Sequence, residues 1–498
     1  MYLIFNTQIQ DSSFLKSQLG INDYSQLYIG KQTLIQDLKS RIPSFADAQI
    51  LFCNKAIKTF YDMAILFDKH LLNYHQLDPN ADILYYDLNL FPRDFELFNN
   101  VILKSQYSDD LVSFFEKDTE NKKNSLPLFK VKAKDLNKHS NNEQAISTVM
   151  HHLLEIDLSK LFIKLDSTQS LLELFSNNFE PRFFNHIKSE QNYFLKSSSK
   201  IDKMQAEFNF LANIPAELRS YFPQVGEFKK ETKSASYQVE KVYMLDLSKQ
   251  LINKVLNNET TVDALLERLK SYLNLCPSQK LSKEAYQESF RKEIIEKNQK
   301  RFAELENLPI IDKLNHLAAL RGYESTEKVF LAINNALEEH LKNSNEDKLY
   351  FSHGDLCFSN ILFDKNTSAI KFIDPKGFNT NINETFRTFY YDLAKLSHSF
   401  IGLYDLIIYD LVDIQVDAQG DISLQYQIDN GYRELLKTKF EQFIKALKVD
   451  YNLVRLIEAS LFMSMIPLHQ DIPKKMLAQF LQAIDSFEAA VNKVSNLK

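Results

Sequence analysis

The sequence predicts an α/β domain on a parallel sheet, followed by an α+β domain with a small mixed lobe and a large helical lobe. Three observations lead there. Short apolar runs alternate with helical stretches from residue 1 to about 175. Strand-like runs flanking one amphipathic helix follow to about residue 246, and helical periodicity then runs almost to residue 498. One segment, 350–377, breaks that periodicity with acids, an amide and two strand-like runs.

Composition sets the outer bounds. The chain has 498 residues, enough for two or three domains, with 44% hydrophobic and 25% charged residues. Its 59 Lys and Arg against 65 Asp and Glu give a net charge of −6 with no basic block, so nucleic acid and anionic membrane are not expected partners. Cys53, Cys276 and Cys357 are odd in number, far apart and without metal-binding spacing, as expected for a reducing compartment. The start, MYLIFNTQIQDSSF, lacks a basic leader, and no run of about eighteen apolar residues occurs, so a cytoplasmic protein without a membrane span is expected.

In the first domain, strands are expected at Tyr2 to Phe5, Gln49 to Cys53 and Asp82 to Tyr86. Helices are expected at Lys31 to Ile42 and Ala56 to Leu72. Glu116 to Ser125 and Lys132 to Glu143 are polar enough to read as surface loops. A helix over Gln144 to Leu154, a strand over Leu161 to Lys164 and a helix over Ser167 to Asn177 complete the domain, with a boundary near 175. The strand Ile83-Leu84-Tyr85-Tyr86 ending in Asp87, and the turn before a helix at Tyr28 to Ile35, loosely resemble sugar nucleotidyltransferases. The glycine-rich phosphate loop of those enzymes is missing: Gly20 and Gly30 are the only glycines in the first two hundred residues. A backbone cradle for a triphosphate needs closer approach than side chains allow. The resemblance therefore implies a degenerate domain, in which Asp87 is a loop acid or helix cap rather than a metal ligand.

The break at 350–377 carries chemistry. An apolar run delivers His353-Gly354-Asp355; Asn360 follows five residues after Asp355, and Ala369 to Ile373 leads into Asp374, fourteen residues after Asn360. Phosphoryl transfer asks for a positioned hydroxyl, magnesium on the phosphates and cations on the developing charge. Asp355 suits the hydroxyl. Asn360 offers magnesium a neutral oxygen and Asp374 a charged one. The other reading is a turn in which Asp and Asn cap nearby backbone.

His353 to Leu362, HGDLCFSNIL, together with Ile373-Asp374-Pro375, resembles the catalytic and metal motifs of the aminoglycoside phosphotransferase and choline kinase family. The resemblance implies a protein-kinase-like fold, ATP or GTP as donor, and Mg2+. It assigns Asp355 to catalysis and Asn360 and Asp374 to the metal. It makes 176–246 the small lobe and 247–498 the large one. Within the small lobe, Arg182 to Ile187 and Gln191 to Ser197 form a hairpin, Lys196 holds the nucleotide's phosphates and Glu207, in the helix Asp202 to Leu211, orients it. Lys200 competes with Lys196 for that role. No glycine roofs the phosphates; Ser197, Ser198 and Ser199 stand there instead. Tyr237 to Leu245 is expected as one strand, with backbone near Val242 to Leu245 against the adenine. Helices are expected at Val262 to Leu273, Lys283 to Glu306, Lys328 to His340, Leu453 to Met465 and Met476 to Ala490. In Tyr390-Tyr391-Asp392-Leu393-Ala394-Lys395-Leu396, Asp392 is expected to brace the catalytic loop, as is His353.

The expected activity is transfer of a phosphoryl group from ATP or GTP to a hydroxyl of a small polar acceptor. A sugar or sugar derivative is the first choice, because this domain pairing resembles bacterial surface-polysaccharide enzymes, with polysaccharide-assembly proteins as partners. An aminoglycoside or choline-type kinase, or a scaffold without turnover, are the alternatives.

Overall fold

Residues 1–9, 14–53, 78–118, 120–134, 153–178, 185–189, 193–418 and 420–495 are described in the computed structural model. They divide into two compact units, Met1–Glu180 and Pro181–Lys498. The expected helices over Ala56 to Leu72 and Gln144 to Leu154 lie outside the described residues, apart from the last two positions of the second.

The first unit is built on a six-stranded sheet in the order Gln49–Cys53, Tyr2–Asn6, Asp82–Asp87, Lys123–Lys132, Leu111–Lys117, Leu153–Asp157. Its first three strands are parallel, as the alternating pattern implies. The sheet as a whole is mixed, which corrects the expected parallel one: Lys123–Lys132 runs antiparallel to both of its neighbours. The physical reason lies in Glu116 to Ser125. Its polar residues form the solvent end of a hairpin, closed where the Asp118 N–H donates to the Lys122 carbonyl at 3.0 Å and Asn121 takes φ 64°. The next residues, Leu126, Leu128, Phe129 and Val131, are buried sheet. Lys130 is buried with them, its charge 3.2 Å from Asp82. Phe5, Phe45, Tyr86, Phe98 and Phe162 pack edge to face or tilted over one side of the sheet, supplying aromatic area in place of tryptophan.

The second unit begins with a four-stranded antiparallel sheet, Asn185–Ser189, Tyr193–Ser198, Ala235–Glu240 and Val225–Lys230 in spatial order. The helix Ile201–Ala212 lies against it. The strand expected to run from Tyr237 to Leu245 stops at Glu240, whose partner is Tyr193, the first residue described in the neighbouring strand. Beyond it the Leu245 carbonyl accepts from the Phe363 N–H at 3.0 Å, tying this connection to the large lobe.

The large lobe is helical, as expected. Tyr451–Met465 is buried on every face from Leu453 to Ser464, which makes it the central helix, with Phe389–Phe400 and Pro473–Ser495 packed around it. The charged stretch Lys283 to Glu306 forms two helices, Lys283–Phe290 and Glu296–Leu305, joined by a π-helical turn, Arg291–Ile295. A hairpin, Val412–Val416 with Ile422–Tyr426, interrupts the helical run where no strand was expected. Two short strand pieces carry the site: Lys348–Phe351, between Ser278–Lys280 and Phe386–Thr388, and the hairpin Ile361–Asp364 with Ala369–Phe372.

Candidate active site

Strand Lys348–Phe351 ends in a tight loop that Asp392 holds from below. The Asp392 carboxylate accepts from the Ser352 hydroxyl at 2.8 Å and from the N–H groups of His353 and Gly354 at 2.9 Å each. Gly354 takes φ 77°, and a Cβ there would stand 2.9 Å from Lys376 Cβ and 3.0 Å from Arg387 Cζ, so both conformation and space demand glycine. His353 is wholly buried. Its Nδ1 accepts from the Asp355 N–H at 3.2 Å, which leaves Nε2–H to donate to the Ile373 carbonyl at 2.9 Å. Burial pushes its pKa below the ordinary histidine value, so the ring is neutral and ties Asp355 to Ile373, the residue before Asp374.

Asp355 is fixed from two sides. Asn360 Nδ2 donates to the Asp355 carbonyl at 2.8 Å and to its Oδ2 at 3.2 Å, which commits the amide nitrogen and leaves the amide oxygen as the group able to meet a cation. Lys395 Nζ lies 2.9 Å from Asp355 Oδ1. Burial works against that ammonium, but Asp355, joined by Tyr391 and Cys357, raises the lysine above its ordinary value.

Asp374 lies beyond strand Ala369–Phe372 with φ 56°, a left-handed conformation uncommon outside glycine and characteristic of functional turns. Its Oδ1 is 2.6 Å from Lys196 Nζ, and Lys196 also donates to Glu207 Oε1. The two lobes meet in this bridge. Lys196 sits in strand Tyr193–Ser198 opposite Tyr237, whose hydroxyl donates to the same Glu207 oxygen. Glu207 faces inward because it shares the buried side of its helix with Met204, Phe210 and Leu211. Burial opposes the charge on Lys196, yet Asp374 and Glu207 hold its pKa up at about 12. Glu207 is raised by burial first and then by Asp374, and its Oε2 is buried without a hydrogen-bond partner.

The structure thus brings Lys196 and Glu207 to Asp374, and Asn360 to Asp355. Lys200, the competitor, sits exposed at the head of the helix. Sequence reasoning passed over Lys395, Tyr237 and Lys297. A lysine among Leu393, Ala394 and Leu396, three residues after the buried Asp392, was the available signal for Lys395. In the first unit Asp87 ends its strand, buried, accepting from Asn6 Nδ2 at 2.8 Å and the Asn89 N–H at 2.9 Å. Burial raises its pKa. Among the described residues no cluster of three His, Cys, Asp or Glu side chains has metal-binding geometry, and no helix is long and apolar enough to cross a membrane.

No protein-family profile and no curated protein matches the chain. Solved structures similar to it include an aminoglycoside phosphotransferase in complex with AMP-PNP and hygromycin B, at 11% identity and a TM-score of 0.36, covering 62% of this chain and 93% of that one. A Plasmodium vivax ethanolamine kinase is 12% identical with a TM-score of 0.33, covering 70% and 89%. Choline kinase from Cryptosporidium parvum is 12% identical with a TM-score of 0.29, covering 66% and 96%. Similarity at this level assigns neither activity nor substrate.

Proposed function

We propose that the unit Pro181–Lys498 is a phosphotransferase moving a phosphoryl group from ATP or GTP to a hydroxyl of a small polar acceptor, a sugar derivative being our choice. The observation that carries this reading is the Lys196 bridge between Glu207 and Asp374, which joins the small lobe to the end of the strand after the Asp355 loop. A buried lysine flanked by two acids is a cation already desolvated and aimed, as phosphate binding requires.

In this reading Lys196 binds the nucleotide's phosphates when Asp374 turns to a cation, and Glu207, steadied by the Tyr237 hydroxyl, keeps the ammonium in place. Asp355 orients the acceptor hydroxyl and takes its proton, while Lys395 and the Asn360 amide fix the carboxylate's direction. The donor set suits magnesium: the Asn360 amide oxygen and the Asp374 carboxylate are hard oxygen ligands. When bound, the ion would neutralise charge on the phosphates. The first unit is read as a degenerate nucleotidyltransferase-like domain that serves docking or substrate placement.

Magnesium-dependent nucleotide consumption by the purified chain against a panel of sugars and amino alcohols tests the reading. Asp355→Asn should cut turnover by about 10² or more while nucleotide still binds. Asp374→Ala should abolish magnesium-dependent nucleotide binding and Asn360→Ala only weaken it, because a carboxylate alone offsets the ion's charge. Unchanged magnesium titrations in both variants would remove these residues from the site.

A further inference from the structure

We propose that the acceptor presented to Asp355 is an anion: a small hydroxyl compound carrying a phosphate or carboxylate, held by Lys297 and Lys376. This rests on the phosphotransferase reading and specifies its acceptor. Tyr391 and Lys395 stand one turn apart on helix Phe389–Phe400 and therefore share a face. Lys395 is spent on Asp355. The Tyr391 hydroxyl accepts from Lys297 Nζ at 2.8 Å, and this ammonium also lies 5.4 Å from the ring centre. Its partner is thus a phenol hydroxyl, and among the described residues no carboxylate pairs with Lys297.

Lys376 is anchored beside the same loop, its N–H donating to the His353 carbonyl at 2.9 Å, while its side chain is half exposed. Its nearest acid, Glu293, is 3.9 Å away and already engaged by Arg387 Nε at 2.6 Å. Two ammonium groups are therefore left with charge to offer beside the elements that hold the candidate base, Lys297 on Tyr391 one turn from Lys395 and Lys376 anchored to the Asp355 loop. The Tyr391 phenol registers the resulting potential: burial raises its pKa, yet Lys297, Lys395 and Lys376 together bring it below the ordinary tyrosine value. The π-helical turn Arg291–Ile295 adds an independent sign, since such bulges recur at functional sites. It carries Glu293 to Arg387 and hands Lys297, two residues past its end, to Tyr391. An amino alcohol or an aminoglycoside would bring its own positive charges against these lysines, whereas a sugar phosphate or a uronate would complement them.

The test uses the full chain with magnesium and ATP or GTP, and glucose, glucose 6-phosphate, glucuronate, choline and kanamycin as acceptors. An anionic acceptor should exceed the uncharged sugar at least tenfold in kcat/KM, in a salt-dependent way. Lys297→Gln and Lys376→Gln should each raise its KM about tenfold with kcat changed less than about threefold, and Lys297→Arg should restore it. Preference for choline, kanamycin or glucose, or an unmoved KM in both Gln variants, overturns the inference while leaving the phosphotransferase standing. Calorimetric titration with glucose 6-phosphate alone separates the two claims. Binding that the Gln variants lose, without transfer from either nucleotide, keeps the anion site and sinks the phosphotransferase. Neither binding nor transfer sinks both.

Discussion

Residues at this site divide by whether their neighbours in sequence announce them. Asp355, Asn360 and Asp374 were legible because spacing along one loop and one strand carries their geometry, and Gly354 because its conformation requires it. Lys395, Lys297 and Tyr391 were not, because what defines them is a partner between 40 and 94 positions away. His398 makes the same point on the same helix. It packs at a tilt against Tyr404 and Phe462, with ring centres 4.2 and 4.0 Å away, and neither ring nitrogen has a hydrogen-bond partner. Burial, followed by Lys395, holds its pKa well below the ordinary value, so the unfolded chain binds a proton that the folded one refuses. Its contribution is at full strength above about pH 6.5 and is lost as pH falls, at up to about 1.4 kcal/mol per pH unit. His398→Phe removes that dependence. Denaturant unfolding at several pH values should show the variant gaining on the wild type below about pH 6.5; parallel stability curves would contradict a neutral buried ring.

At the scale of elements, the sequence pattern located the helices of the second unit better than those of the first, where Phe95–Ser105 was missed, and located strands unevenly. Tyr451–Met465 and Thr326–Asn343 follow from apolar periodicity and a capping Asp450 or Ser325. Strand Lys123–Lys132 was hidden because Lys130, a charged residue in a core position, spoils its apolar run and is made tolerable by Asp82 and the Ser108 carbonyl. The expected strand end at Leu245 failed: the strand stops at Glu240, and Leu245 pairs instead with Phe363 of the catalytic hairpin. One contact between elements was invisible because it joins positions far apart in the chain. Gly377 rests on the helix that carries Glu207, where an added Cβ would sit 1.7 Å from the Ala206 carbonyl oxygen. The Phe378 N–H donates to that oxygen at 3.2 Å, and Asn209 Nδ2 to the Phe378 carbonyl at 3.0 Å. Backbone cannot give way as a side chain can, so Gly377→Ala should cost about 1–3 kcal/mol of stability. It should also weaken nucleotide binding by pushing Glu207 from Lys196. Thermal melts alongside nucleotide titration check this, and wild-type affinity in a destabilised variant would uncouple the contact from the site.

For the whole molecule, the first unit carries the negative prediction. Gly30 serves the tight turn between Tyr28–Ile29 and Gln32–Thr33, with φ 64°, and Gly20 follows the helix Phe14–Leu19, so neither stands directly after strand Tyr2–Asn6 where a triphosphate cradle would need it. A fragment of residues 1–180 should fold on its own sheet and release no pyrophosphate from a nucleoside triphosphate and any sugar phosphate. Detecting that release would make the protein bifunctional. The second unit carries a consequence for control. Protein kinases that are switched swing a helix to make or break a lysine–glutamate pair, and a phosphorylated loop sets the balance. In this chain the glycine seat, the Phe378 N–H to Ala206 carbonyl bond and the Asn209 side-chain bond clamp that helix with the pair already closed. Turnover should therefore start without a lag on mixing with nucleotide and should not change after phosphatase treatment. The cell would then govern it through supply of the acceptor and the amount of protein made.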